Sequence, residues 1–508
     1  MLPTGGPAGV LLGSVEPVPA ELVPAGPPIP SRLPDPQELL ADAPLVWAAL
    51  GTGGWSAAAL DDLLGATART HLDRDELAPL LRRTEGGSPL EVLARLFVLG
   101  VEVDLKQARQ AGVPETWLVP DGFGVAAAVR LQPVVSGGVE VVVAHDPHRA
   151  SRRVENDQVL GVGAASLTLA AATPRGLVGR TLDLGAGSGI QSLLAEDHSS
   201  TVVATDSNPR ATGYTRLSAA LNARQVDVRT GDLFDPVRGE LFDLVISNPP
   251  FVIGPGSGYT YRDGGRNGDD LCRQLAGQLP EHLVEGGTAV LLANWLHVEG
   301  EDGDERVRSW FGPEVDGWVV QRELASPQDY VTAWLRDSDE RDRFDQLYDT
   351  WLDWFAVRRV EAVAFGVLAM RRRQGGGGQV WLDDVPQQLG ESWGEQVPAF
   401  FERQDALGRG VLGTAWRLRD DVRLHQVAER TADGWYAQSQ LLQQERGLRW
   451  SGGVDAYGAT LLAGCDGTRP LGDLLAVLAA SAGLTEDETA EQVLPVVERL
   501  VEQGFLVP

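Results

Sequence analysis

The sequence predicts an α/β protein organised around a parallel, doubly wound sheet, with a smaller module on each side. Three observations carry that expectation. Between about residues 178 and 373, short apolar runs alternate with helical patterns. The first of those runs ends in a glycine-rich turn. Acidic residues then stand at the ends of consecutive strands.

Residues 1–35 are rich in Pro, Gly, Ala and Val and nearly free of charge, and are expected to form a disordered leader. In the N-terminal module, 36–175, helical spacing predicts helices over 37–50, 57–64, 77–83 and 89–99. The last sets Leu90, Val92, Leu93, Leu96 and Phe97 on one broad face. Strands are expected over 124–135 and 139–144, joined at Ser136-Gly137-Gly138. Helices followed by a hairpin suggest a winged-helix-like module.

In the central segment, 176–373, strands are expected over 180–184, 201–205, 225–229, 242–247, 288–293, 317–323 and 362–371. A helix over 340–358 carries Leu347, Trp351, Trp354 and Phe355 at core spacing. Four glycines, 375–378, read as a hinge. The remainder, 374–508, reads as a mixed α+β module. It ends in helices over 471–480 and 486–503, the second opened by a capping box of Thr485 and Glu488, and then a strand over 504–507. That ending is again winged-helix-like.

The 508 residues suffice for about three domains. With 43% hydrophobic and 22% charged residues, a wholly disordered chain is excluded. There is no apolar run of about 18 residues and no secretory signal pattern, so no membrane attachment is expected. Cys272 and Cys465 stand far apart, which excludes a disulfide framework and a thiolate zinc site and points to a reducing cytoplasm. Forty-three basic residues against 71 acidic ones give a net charge of −28. An acidic surface repels phosphate backbones, although it leaves room for one local basic groove.

The glycine turn is the most informative loop. Asp183-Leu184-Gly185-Ala186-Gly187-Ser188-Gly189 follows an expected strand and precedes an expected helix. Its GxGxG spacing differs from the GxGxxG of dinucleotide sites, where a pyrophosphate sits at the helix start. The carboxylate of Asp183 disfavours a polyanion and suits a ligand carrying an ammonium group. S-adenosylmethionine has such an amine, a sulfonium and a nucleoside without phosphate. Asp206, 23 residues later, ends the second strand, where a carboxylate can accept both ribose hydroxyls; Ser207 follows it. Asp232 ends the third strand, where it can accept from the adenine amine, with Leu233 beside the ring.

The fourth strand ends in Ser247-Asn248-Pro249-Pro250-Phe251. The lone pair of an amide or aromatic amine is delocalised, which makes the nitrogen a poor nucleophile. Acceptors placed against both N–H groups favour pyramidal geometry and turn the lone pair outward. Asn248 offers a side-chain carbonyl and Pro249 a backbone carbonyl, held stiffly by successive prolines. Phe251 can stack on a planar target. The expected chemistry is orientation and electrostatic preorganisation, with no metal and no titrating base.

Together these residues resemble the class I S-adenosylmethionine-dependent methyltransferases, and the NPPF corner is similar to the [N/D]PP[F/Y/W] group within them. The resemblance covers about 200 residues. It implies a Rossmann-like sheet, S-adenosylmethionine held by the Gly185 loop and Asp206, and a planar target nitrogen held by Asn248 and Pro249. That group methylates the glutamine side chain of release factors (HemK type), adenine N6 or guanine N2. The stretch 262–271 is similar to the glycine-rich run that follows the motif in the glutamine enzymes. Those enzymes usually have Tyr at the position of Phe251, and the NPPF form is familiar among ribosomal guanine enzymes. The acidic surface favours a protein target modestly; a groove of Arg262, Arg266 and Arg273 would favour nucleic acid. A small-molecule N-methyltransferase and a non-catalytic adaptor retaining the fold are the other readings.

Among lesser features, His145 and His148 read as a loop pair rather than metal ligands, and Tyr259 and Tyr261 as cover for the substrate or plain loop. Asn294 and Trp295 are candidates for the pocket rim. Cys272 reads as buried and inert, and 371–373 as a solvated strand end.

Overall fold

The computed structural model describes residues 34–74, 76–147, 157–255, 268–336, 343–432 and 434–508. The expected leader, His148, Tyr259, Tyr261, Arg262 and Arg266 therefore lie outside the described residues, apart from Pro34 and Asp35.

The central sheet forms because each strand is an apolar run that needs cover on both faces. Its strands are β1 (Val178–Leu184), β2 (Ser199–Asp206), β3 (Asp227–Thr230), β4 (Phe242–Ser247), β5 (Leu283–Val298), β6 (Val315–Ala325), β7 (Val360–Arg372) and β8 (Val380–Asp384). The order across the sheet is β8-β6-β7-β5-β4-β1-β2-β3. All neighbours pair parallel except β7, which runs antiparallel to both β5 and β6. The order is the doubly wound one expected, except that β7, inserted between the fifth and sixth strands, is reversed where a parallel sheet was expected, and β8 extends the edge.

Five helices bear on the site: α1 (Ala164–Ala172), α2 (Ile190–Ala195), α3 (Pro209–Leu221), α4 (Pro327–Arg336) and α5 (Phe344–Val357). Leu169 and Ala172 of α1 lie in the main core with Leu182, Val245, Leu291 and Trp295. This places α1 against the sheet, although it precedes the expected boundary at 176.

The N-terminal helices and the hairpin of Arg130–Ser136 and Val139–His145 close their core on α3. Leu39, Val46, Leu50, Phe97 and Trp117 cluster with Ala211, Tyr214, Leu217 and Leu221. Asn222, at the end of α3, accepts from the Val142 N–H at 2.8 Å and donates to the Val142 carbonyl at 2.7 Å. Ser218 Oγ accepts from the Ala144 N–H at 3.0 Å. Helix α3 thus has apolar neighbours on its sheet side and its module side, which its all-round burial reflects.

At the other end, the four glycines do not end the sheet. Gly375, Gly376 and Gly377 all have φ near +80°, and a Cβ on Gly378 would stand 1.8 Å from the Val315 carbonyl oxygen. Turn geometry and close backbone approach require glycine here, and the chain goes on directly into β8. Trp318 stacks on Phe400 at 4.2 Å, so residues to about 401 share the main core. The arginines expected to be solvated are instead tied down. Arg371 pairs with Asp316 and Asp405, each at 2.7 Å, and Arg373 also pairs with Asp316, whose side chain is fully buried. A further cluster of Trp416, Leu462, Leu471, Leu475, Val497 and Phe505 organises the C-terminal module. From it extends a largely exposed ribbon, Val422–Thr431 paired with Gly434–Gln444. Among the described residues, no helix is long and apolar enough to cross a membrane.

Candidate active site

The site is set by strand order. From β1 the chain steps outward through β2 to β3, then returns to place β4 on the opposite side of β1. Such a reversal opens a crevice at the C-terminal ends of the strands. In register, Leu184 of β1 pairs with Ser247 of β4, and Ser247 Oγ donates to the Leu184 carbonyl at 2.8 Å. The glycine turn and the asparagine–diproline corner therefore leave adjacent strands, about 5 Å apart, at the same edge.

On the β1 side the turn is fastened to β2. The Gly185 and Ala186 N–H groups both donate to the Thr205 carbonyl, at 2.8 and 2.9 Å. The Gly187 N–H donates to Asp206 Oδ2 at 2.9 Å, and the Asn208 N–H to Asp206 Oδ1 at 2.8 Å. Gly185, Gly187 and Gly189 have φ of +78°, +58° and +89°. The three glycines serve different ends. A Cβ on Gly189 would press on Thr215 at 3.0 Å, so this glycine lets α2 and α3 approach; Gly185 and Gly187 face open space. That open cradle, between the turn and Asp206, fits a ligand lying against the backbone.

The carboxylates suit a cation. Asp183 is buried, and its Oδ2 accepts from the Ser192 N–H at 2.9 Å and Ser192 Oγ at 2.6 Å. Burial pushes its pKa up to about 6, against the lowering effect of the Ser192 bonds, and Asp206 raises it further. Burial also raises the Asp206 carboxyl, opposed by its two backbone bonds. No arginine or lysine among the described residues pairs with either group. A ligand bearing an ammonium group would supply the missing positive charge, and the spare lone pairs of Asp206 would accept hydroxyls.

The third loop is drawn in by the Gly231 N–H, which donates to the Asp206 carbonyl at 3.0 Å. Asp232 is exposed, and Leu233 beside it is held at φ +44°. A left-handed leucine is an uncommon strain, of the kind that clusters at ligand sites. Ser207 is exposed beyond Asp206.

On the β4 side, Asn248 Nδ2 donates to Ser166 Oγ of α1 at 3.3 Å, which leaves its Oδ1 as the acceptor. Sequence reasoning missed Ser166, because nothing in its neighbourhood marks it. Pro249 is buried and Pro250 half-buried. Phe251 is only 8% exposed; its ring packs on Phe365 at 5.6 Å and edge-on to Trp334 at 6.3 Å. It is a wall of the corner more than a free stacking surface. Asn294 and Trp295, expected at the rim, are buried in β5 because that strand lies mid-sheet with cover on both faces. Arg273 pairs with Asp270 of its own helix at 2.6 Å. Cys272 is buried, which pushes its thiol up to about 12.

The central segment of the chain is similar to known methyltransferases. Residues 160–297 match the family model described as Methyltransferase small domain. The flanks match two families described only as domains of unknown function, over 52–138 and 398–508. A ribosomal RNA small subunit methyltransferase C of Alcanivorax borkumensis is 32% identical over 23% of this chain and 33% of its own. A release factor glutamine methyltransferase of Koribacter versatilis is 34% identical over 22% and 46%. A putative protein N5-glutamine methyltransferase of Methanocaldococcus jannaschii is 30% identical over 24% and 64%. The chain thus spans between a third and two thirds of the length of these relatives. Among solved structures, a T. thermophilus 16S rRNA N2 G1207 methyltransferase with AdoMet and guanosine aligns at TM-score 0.29 and 16% identity. That alignment covers 58% of this chain and 70% of the other.

Proposed function

We propose that the protein is an S-adenosylmethionine-dependent N-methyltransferase acting on a planar nitrogen of a macromolecule, with a protein glutamine amide favoured. The observation that carries this reading is the pairing of Leu184 with Ser247, which sets the open glycine cradle and the Asn248 corner side by side. Bound S-adenosylmethionine would supply an electrophilic methyl group on a sulfonium. Gly185, Ala186, Gly187 and Gly189 would form its cradle, Asp183 would face its ammonium group, and Asp206 and Ser207 would take its ribose. Asp232 and Leu233 would border its adenine. Asn248 Oδ1 and the Pro249 carbonyl would accept from the N–H groups of the target, while Pro250 and Phe251 would keep those acceptors in place. The target nitrogen can release its proton to water after transfer, so the corner needs no base.

The protein target is supported by the acidic surface and by the glutamine methyltransferases among the relatives. The nucleobase reading is supported by the phenylalanine at 251 and by the ribosomal RNA relative. Two experiments test the proposal. Calorimetry should show S-adenosylmethionine binding; no binding at millimolar concentration would favour the adaptor reading. Tritiated-methyl transfer into lysate should then give a product that protease removes and nuclease spares. The reverse pattern would assign a nucleobase, and label confined to small molecules would assign a biosynthetic enzyme.

A further inference from the structure

The acceptor corner has few fastenings. Pro249 and Pro250 have no N–H to donate. Among the described residues, the hydrogen bonds of 248–255 run to two points outside the corner. Asn248 is held by Ser166 at one end. At the other, the Ile253 N–H donates to the Tyr330 hydroxyl at 2.8 Å. Tyr330 lies on α4, after the segment matched by the methyltransferase family model has ended. Its hydroxyl also accepts from Asn294 Nδ2 at 2.9 Å, so both lone pairs are engaged. The residue is buried, edge-on to Phe355 of α5 at 6.0 Å. Trp334 of the same helix meets Phe251, and Trp351 of α5 lies 2.9 Å from where a Gly254 Cβ would stand. Val252, Ile253, Tyr330, Trp351 and Phe355 form one apolar cluster.

Resting on the methyltransferase reading, we infer that Tyr330 is a positioning residue for methyl transfer. Its hydroxyl fixes the chain just after the diproline and so aims Asn248 and the Pro249 carbonyl at the target nitrogen. Helix α4 is then part of the acceptor-side wall of the site, and it lies beyond the segment matched by the methyltransferase family model.

The test compares Tyr330→Phe with Phe355→Leu, which loosens the same apolar cluster and keeps the hydroxyl. Three quantities are read on the full chain. These are S-adenosylmethionine affinity by calorimetry, tritiated-methyl transfer into the lysate fraction that the wild type labels, and hydrogen exchange at the Ile253 amide. Tyr330→Phe should leave cofactor affinity within about twofold, lower transfer about tenfold and speed Ile253 exchange about tenfold or more. Phe355→Leu should keep both transfer and Ile253 exchange near wild type. Wild-type transfer and exchange in Tyr330→Phe would overturn the inference, as would equal losses in both variants. If Tyr330→Phe fails to fold, Asn294→Ala removes the second donor to the same hydroxyl and should lower transfer in the same direction; no loss there would also overturn it. A wild-type chain that binds no cofactor would bring down the underlying reading with it, which distinguishes the two failures.

Discussion

On the side of the crest proposed for the cofactor, the turns after β1, β2 and β3 are fastened to one another by main-chain groups and the Asp206 carboxylate. On the side proposed for the acceptor, the corner after β4 is fastened by two side chains from distant helices, Ser166 of α1 and Tyr330 of α4. The first arrangement is local and made of backbone, so it requires glycines at fixed spacing. The second is assembled from side chains far along the chain. One crest thus joins a half fastened by its own backbone, proposed for the cofactor, to a half fastened from far along the chain, proposed for the acceptor.

That contrast can be broken or sharpened by substitution. The largest expected effect comes from behind the cofactor half. Buried Asp146 receives a bidentate contact from Arg210 of α3, and accepts from the Tyr214 hydroxyl at 2.7 Å and the Val159 N–H at 2.8 Å. Asp146→Asn leaves a mostly buried guanidinium without its counter-charge and should cost about 3 kcal/mol of stability by urea unfolding. Next, Asn248→Ala should lower transfer about 100-fold while S-adenosylmethionine affinity by calorimetry stays within about threefold. An equal loss of affinity would merge the two halves. Asp206→Ala should do the converse, weakening cofactor binding about tenfold, because it removes both the proposed ribose acceptor and the Gly187 fastening.

The smallest effect is a pH dependence. The Asp183 carboxyl holds its proton more tightly in the folded chain, at about 6 against an ordinary 3.8. The stability it contributes is therefore fully present below about pH 4 and lost as pH rises through about 6. Asp183→Asn should gain on the wild type in thermal midpoint between those values. Cofactor affinity should move the other way, since an ammonium group prefers the ionised form. It should weaken as pH falls from 7 to 5, less steeply in Asp183→Asn.

The same contrast explains what could be read from the sequence. The strand alternation and the turn from Asp183 to Gly189 were legible because period and glycine spacing are local properties. The NPPF corner was legible as chemistry, but the burial of Phe251 was not, since it depends on Phe365 and Trp334 elsewhere in the chain. Tyr330 carries no signal of its own, lying 77 residues from the amide it holds. The four glycines at 375–378 have the composition of a hinge; only the approach of Gly378 to Val315 shows that they make a tight return into β8.

Helix α3 has one further consequence. Its start adjoins the carboxylate proposed to bind ribose, one flank seals the sheet, and the other is the floor of the N-terminal module. Heat cannot loosen that module without stripping the flank that keeps the helix seated. Occupancy at the glycine crest should therefore be felt by residues that never touch the ligand, and the N-terminal half of the molecule should melt in one calorimetric transition.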